Sequence, residues 1–142
     1  MDESKAGEYR LWRQASGSTG FAWVKVETKI AQGQGRPDVR WAVDAADKTS
    51  AQPKTDPEFV DAALEGVVDA INALLGVAED VSTLAVDVVW LGASIVDTES
   101  TAVRAAACAA TAKSVGRLEL FEIVHDGGGW KCQLAAPPGL GA

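Results

Sequence analysis

Between Leu84 and Val115 the chain changes from one hydrophobic period to another. Leu84-Ala85-Val86-Asp87-Val88-Val89-Trp90-Leu91 carries the β-branched and aromatic residues of a strand. Gly92-Ala93-Ser94-Ile95 is a small, polar turn, and Val96-Asp97-Thr98-Glu99-Ser100 leads into an alanine-rich stretch. That stretch predicts a helix from about 99 to 115, capped by Asp97 or Thr98 and stopped by Gly116. A strand that feeds a helix requires a sheet with a helical layer packed on it.

The rest of the chain supplies both layers. Glu8 to Gln14 is a short β-prone run. Phe21 to Ile30 alternates strictly, with Val24, Val26, Thr28 and Ile30 on one face and Trp23, Lys25, Glu27 and Lys29 on the other. Val39-Arg40-Trp41-Ala42-Val43 reads as a third strand, and short turns between the three predict an antiparallel meander. Asp44 to Thr55 is polar, contains Pro53 and is expected to be a mobile connection. Asp56 then offers an N-cap, Pro57 a first helical position and Gly76 a left-handed stop, which predicts a helix over 56–75. Its apolar stripe is Val60, Ala63, Leu64, Val67, Ile71, Leu74 and Leu75. Residues 118–124 and 130–134 flank Asp126-Gly127-Gly128-Gly129 as a β-hairpin. The expected class is α/β, an α+β two-layer sandwich: three-strand meander, helix, strand, helix, C-terminal hairpin. One domain over 8–135 is expected, with 1–7 disordered and 136–142 a flexible tail.

Composition narrows the function. The chain has 142 residues, 47% apolar and 23% charged, as a soluble globular domain does. No run approaches the roughly 18 apolar residues of a membrane span, and the charged N-terminus lacks the apolar core of a signal peptide. Cys108 and Cys132 form neither a disulfide framework nor a metal spacing, so a cytoplasmic setting with reduced thiols is expected. The net charge of −7 is unevenly spread. Residues 1–55 hold nine Lys and Arg against seven Asp and Glu; residues 56–142 hold four against thirteen. The N-terminal half is therefore the part able to meet a phosphate backbone.

Chemistry-bearing groups do not assemble into a catalytic pattern. His125, the sole histidine, sits beside a glycine turn and is read as a solvated turn residue. Asp97 and Glu99 suit a helix N-terminus. Cys108 lies among alanines with no activating base nearby in sequence. No Gly-x-x-x-x-Gly-Lys-Ser/Thr loop occurs. The expectation is a non-enzymatic domain without cofactor or metal.

Two stretches carry a family resemblance. Arg13-Gln14-Ala15-Ser16-Gly17-Ser18-Thr19-Gly20-Phe21-Ala22-Trp23-Val24 is similar to the Arg-Gln, glycine-rich turn, aromatic and valine series in the fourth domain of elongation factor G and the ribosome-protection proteins. Val96-Asp97-Thr98-Glu99-Ser100 is similar to that family's Val-Asp-Ser-Ser-Glu turn, and Arg117-Leu118-Glu119-Leu120-Phe121-Glu122 resembles its passage out of the domain. The resemblance spans about residues 8–124. It implies a two-layer α/β sandwich and a tip, formed by the two turns, that enters the ribosomal decoding region. The candidate tip residues are Ser16, Gly17, Ser18, Thr19, Ser94 and Asp97. Where the family carries a basic residue in the glycine turn, this chain has Ser18 and Thr19, and no histidine precedes the Val-Asp turn.

A second candidate surface follows from alternation. Arg10, Arg13, Trp23, Lys25, Lys29 and Arg40 make the first strands the basic part of the molecule. Cations interleaved with tryptophan suit stacked bases, and equally suit a protein interface, where Trp and Arg are enriched. The expected partner is a protein or ribosomal RNA and not a membrane.

Overall fold

Alternating residues in the first half of the chain build a sheet, and two helical segments cover one of its faces. The computed structural model describes residues 5–15, 18–30, 37–77, 81, 83–93, 98–126 and 129–135. In chain order its elements are β1 (Lys5–Ala15), β2 (Ser18–Ile30), β3 (Asp38–Trp41), α1 (Pro57–Gly76), β4 (Leu84–Gly92) and α2 (Ser100–Ser114). A 3-10 turn (Leu118–Leu120), β5 (Phe121–Asp126) and β6 (Gly129–Leu134) follow. Four strands form one sheet in the order β1-β2-β4-β3, and β5 pairs with β6 in a separate hairpin. This is the two-layer α+β class that the sequence predicts. No described helix is long and apolar enough to cross a membrane.

The meander is the element to correct. β1 and β2 are antiparallel neighbours, but β3 does not pair with β2. β4 inserts between them, antiparallel to β2 and parallel to β3. The residues between β2 and β3 read as a turn, yet composition alone does not say whether a turn closes a hairpin. The deciding feature lies further on: α1 connects β3 to β4, and a helical crossover is the connection that parallel neighbours need. β1 also begins at Lys5, within the segment expected to be disordered.

Asp44 to Thr55 is pinned rather than mobile. Ala51 donates its amide to the Leu91 carbonyl at 2.8 Å, and the Leu91 amide donates to Ser50 Oγ at 3.0 Å, attaching the segment to the end of β4. The Gln52 side chain donates to the carbonyls of Asp44 and Asp47, both at 2.9 Å. Polar side chains that bond the local backbone hold an irregular segment without secondary structure.

Asp56 takes the N-cap position of α1, but its carboxylate accepts hydrogen bonds from the Gln52 amide and the Thr55 hydroxyl instead of capping the helix. Gly76 is the last helical residue and is not left-handed, whereas Gly116, after α2, has φ +73° as expected. α2 starts from Glu99. Thr98 instead donates its hydroxyl to the Phe21 carbonyl at 2.7 Å, tying the helix entrance to β2.

The core lies between the sheet and α2, with α1 beside it. Leu11, Val24, Val26, Val86, Val88 and Leu91 from the sheet are buried against it. Each fully buried leucine there is worth roughly 2 kcal/mol of transfer free energy. α2 packs against β1, β2, α1 and β6, so its alanines are buried almost all round. Small residues let these elements approach closely: a Cβ on Gly66 would lie 2.2 Å from the Arg104 carbonyl oxygen.

Candidate functional site

The helices cover one face of the four-stranded sheet, and strand parity decides what the other face presents. In the β1–β2 ladder Glu8 pairs with Lys25, Arg10 with Trp23 and Trp12 with Phe21. Leu11, Ala22 and Val24 are buried under the helical layer, so those three pairs point away from it.

β4 adds Trp90 to them through a bulge. Val26 pairs with Val88 but Lys25 pairs with Trp90, leaving Val89 as the extra residue. Unbroken alternation after Val86 and Val88 would send Trp90 into the core. The bulge turns it onto the open face and keeps Leu91 buried. Gly92 makes room for the ring, since a Cβ there would lie 2.5 Å from the indole.

The outcome is a stripe of rings and cations crossing three strands. Trp12 meets Phe21 edge to face, with centroids 5.9 Å apart, and Trp23 meets Trp90 likewise at 5.3 Å. The Arg10 guanidinium lies 4.7 Å from the Trp12 ring centroid and 5.2 Å from that of Trp23. Lys25 Nζ lies 5.3 Å from the Trp23 centroid and 4.9 Å from that of Trp90. Each cation thus sits between two rings, an arrangement worth about 0.5–1 kcal/mol per contact at an exposed site.

Hydrogen bonds fix the indoles. Trp23 Nε1 donates to Glu8 at 2.8 Å, and Trp90 Nε1 donates to Thr49 Oγ1 at 2.9 Å. The Thr49 hydroxyl in turn donates to Asp47 Oδ1 at 2.5 Å. That bond, with the Thr49 amide, holds the Asp47 carboxyl below its ordinary range, and Lys25 adds to the effect. At the far edge Arg40 bonds both oxygens of Asp87, at 3.2 and 3.4 Å, and lies 3.8 Å from Asp38.

The candidate residues therefore separate. Arg10, Trp23 and Lys25 come together. Arg40 shares their face, with its charge matched by Asp87 and Asp38. Lys29 is exposed near the end of β2, on the same parity as Lys25. Arg13 turns to the other side and donates to the Ile123 carbonyl at 3.1 Å and the Tyr9 hydroxyl at 3.3 Å. Of the tip candidates, Ser16, Gly17, Ser94 and Asp97 lie outside the described residues. Ser18 and Thr19 begin β2, in register with Ala15 and Gln14. Trp12, Phe21, Glu8 and Trp90 complete the stripe although the sequence did not select them. Register was the missing signal for the first three, and the bulge for Trp90.

The remaining chemical groups serve packing. His125 is not a solvated turn residue: its ring lies 4.8 Å from that of Trp130, and its Nδ1 is buried with no partner among the described residues. Glu99 accepts a hydrogen bond from Thr101 at 2.6 Å. Trp41 faces the helical layer and packs on the core, away from Arg40.

No family model matches the chain, and no curated protein matches it in sequence. Its fold is similar to part of the crystal structure of a protein from Thermus thermophilus, with a TM-score of 0.62 and 16% identity. The match covers 81% of this chain and 16% of the other. The likeness establishes a shared fold, and this chain corresponds to a small part of a much longer protein.

Proposed function

We propose that this chain is a non-enzymatic interaction domain that engages a protein through the open face of its sheet. The observation that carries the reading is the stripe itself. Four aromatic rings and two cations occupy a face that no described helix covers, and Trp12 is 63% exposed at its edge. Exposed aromatics with arginine are the anchors protein interfaces favour.

Charge matching favours protein over RNA. Arg10, Lys25, Lys29 and Arg40 share the face with Glu8, Glu27, Asp38 and Asp87, a balance near zero. A phosphate backbone needs a surplus of cations. Arg10 and Lys25 also lie over the Trp23 ring, where a stacked base would need to sit. The ribosome-associated alternative is supported by the resemblance to the translation-factor fourth domain, and the tip residues would serve it.

A photo-crosslinking residue at position 12, with a control at exposed Asn72 of α1, tests the reading in cells. Position 12 should label one protein, and Lys25→Glu should abolish the label. Equal labelling from both positions would refute the assignment. Co-sedimentation with ribosomes that falls steeply with salt would move the function to the RNA reading instead.

A further inference from the structure

The hairpin and α2 bring together the two cysteines of the chain, which the interaction surface does not use. Cys108 is buried on α2 and Cys132 is half-buried in the middle of β6; neither is in a disulfide. Cys108 Sγ lies 3.9 Å from the Cys132 carbonyl oxygen. The two residues are thus in direct contact, and interaction with the Cys132 side chain, with burial, pushes the Cys108 thiol up. A cleft of about 370 Å³ is lined by Asp69, Thr101, Arg104, Trp130 and Cys132 among others. Cys132 is thus the part-exposed member of the pair and Cys108 the buried one.

We propose that Cys132 and Cys108 are a reversible redox pair, oxidised by a small-molecule disulfide to an intramolecular bond that ties β6 to α2. The Cys132 sulfur attacks the small disulfide, forming a mixed disulfide and releasing one small thiol. The Cys108 sulfur then attacks Cys132 Sγ and displaces the second small thiol. Two protein thiols lose two electrons, the small disulfide gains them, and the two thiol protons leave on the released thiols.

The bond would matter mechanically. β5 and β6 form a ladder separate from the main sheet and depend on packing against α2, because an isolated two-stranded hairpin is marginally stable. The described polar ties holding it include the Trp130 amide on Thr101 Oγ1 at 3.0 Å and Arg13 on the Ile123 carbonyl. A covalent link beside them makes the docking permanent while it lasts. This inference does not depend on the reading of the open face.

Oxidised glutathione, added to the reduced, folded full chain, provides the test. Intact mass should fall by two hydrogens, both thiols should resist alkylation together, and dithiothreitol should restore them. Cys108→Ala should stop at a stable glutathione adduct on Cys132, and Cys132→Ser should leave Cys108 unmodified. Amide exchange across β5 and β6 should slow about tenfold in the oxidised form. A wild-type protein that stops at the adduct, or links only between molecules, would overturn the pair. A bond that forms without slowing exchange would overturn its docking role. If Cys108→Ala does not fold, wild type and Cys132→Ser decide the matter alone.

Discussion

Gly66 and Gly76 lie on the same helix, and the same substitution should act on them with opposite sign. Alanine in place of glycine gains about 1 kcal/mol in a helix interior. At Gly76 a Cβ would meet nothing within 4 Å, and the backbone is not left-handed, so only that gain remains. Gly76→Ala should stabilise by about 0.5–1 kcal/mol, with the lower end expected at a fraying terminus. At Gly66 the added carbon would lie 2.2 Å from the Arg104 carbonyl oxygen, 2.9 Å from Ala107 Cβ and 3.0 Å from the Arg104 carbonyl carbon. Two of those atoms are backbone, so α1 and α2 must part by about 1 Å, a gap that forfeits a quarter to a half of the dispersion energy of the atoms lining it. Overpacking of this kind costs about 1–3 kcal/mol, and the lost inter-helix contact adds to it. Against the propensity gain, Gly66→Ala should destabilise by about 2–3 kcal/mol net. Urea unfolding followed by circular dichroism at fixed m-value measures both. A Gly66→Ala protein as stable as the parent would refute the close helix contact on which the packing argument rests.

Other consequences are open to measurement. Arg104 donates to both oxygens of Asp69, at 2.6 and 2.9 Å, joining α2 to α1 across a partly exposed gap. A double-mutant cycle with Arg104→Met and Asp69→Asn should give a coupling of about 0.5–1 kcal/mol that shrinks in high salt, and a salt-independent value would contradict it. Asp47 is held below the ordinary carboxylate range, so its stabilising contribution is complete above its unfolded pKa and fades as pH falls through the folded one. Thr49→Ala should move its NMR titration upward, and an unmoved titration would show that the hydroxyl is not the cause. Lys25→Glu removes both of that residue's ring contacts and should cost about 1 kcal/mol, whereas Lys29→Glu should cost under about 0.5 kcal/mol, both read by chemical denaturation. Trp12→Ala removes the Arg10 contact and the edge-to-face pair with Phe21, so it should cost about 1 kcal/mol while leaving the protein folded and weakening partner capture, and unfolding of that variant would mean the ring is structural.

Much of the fold was legible because two signals are local. Val24, Val26 and Thr28 alternate with Trp23, Lys25 and Glu27 by a period that does not depend on what the strand pairs with, and their faces are as the period predicts. The stripe of Val60, Ala63, Val67, Ile71 and Leu74 identified α1 for the same reason. Pairing is not local. β3 neighbours β4 because a helix intervenes between them, and nothing in Asp38 to Trp41 records that partner. The open face was half legible. Lys25 and Trp23 share parity in one strand, but joining them to Arg10 and Trp12 required the β1–β2 register, fixed by a turn whose length the sequence leaves open.

Trp90 shows where reading by period fails. In the run Val86-Asp87-Val88-Val89-Trp90-Leu91 a strict alternation buries Trp90 and exposes Leu91, a plausible result on hydrophobicity alone. The extra residue at Val89 reverses both, and Gly92 leaves the space the displaced indole occupies. A bulge costs a regular ladder pairing and orphans a residue, a cost offset on the helical side by the burial of Leu91. Here it brings a large ring against Trp23 and over Lys25, on the one face that the described helices leave uncovered. Deleting Val89 removes only the extra residue: Val88, Trp90 and Leu91 then alternate regularly, so Trp90 should stay opposite Lys25 on the open face with Leu91 in the core. The deletion variant should therefore keep the partner-binding face, and loss of binding in a folded variant would show that the local twist of the bulge, and not face alone, positions the ring.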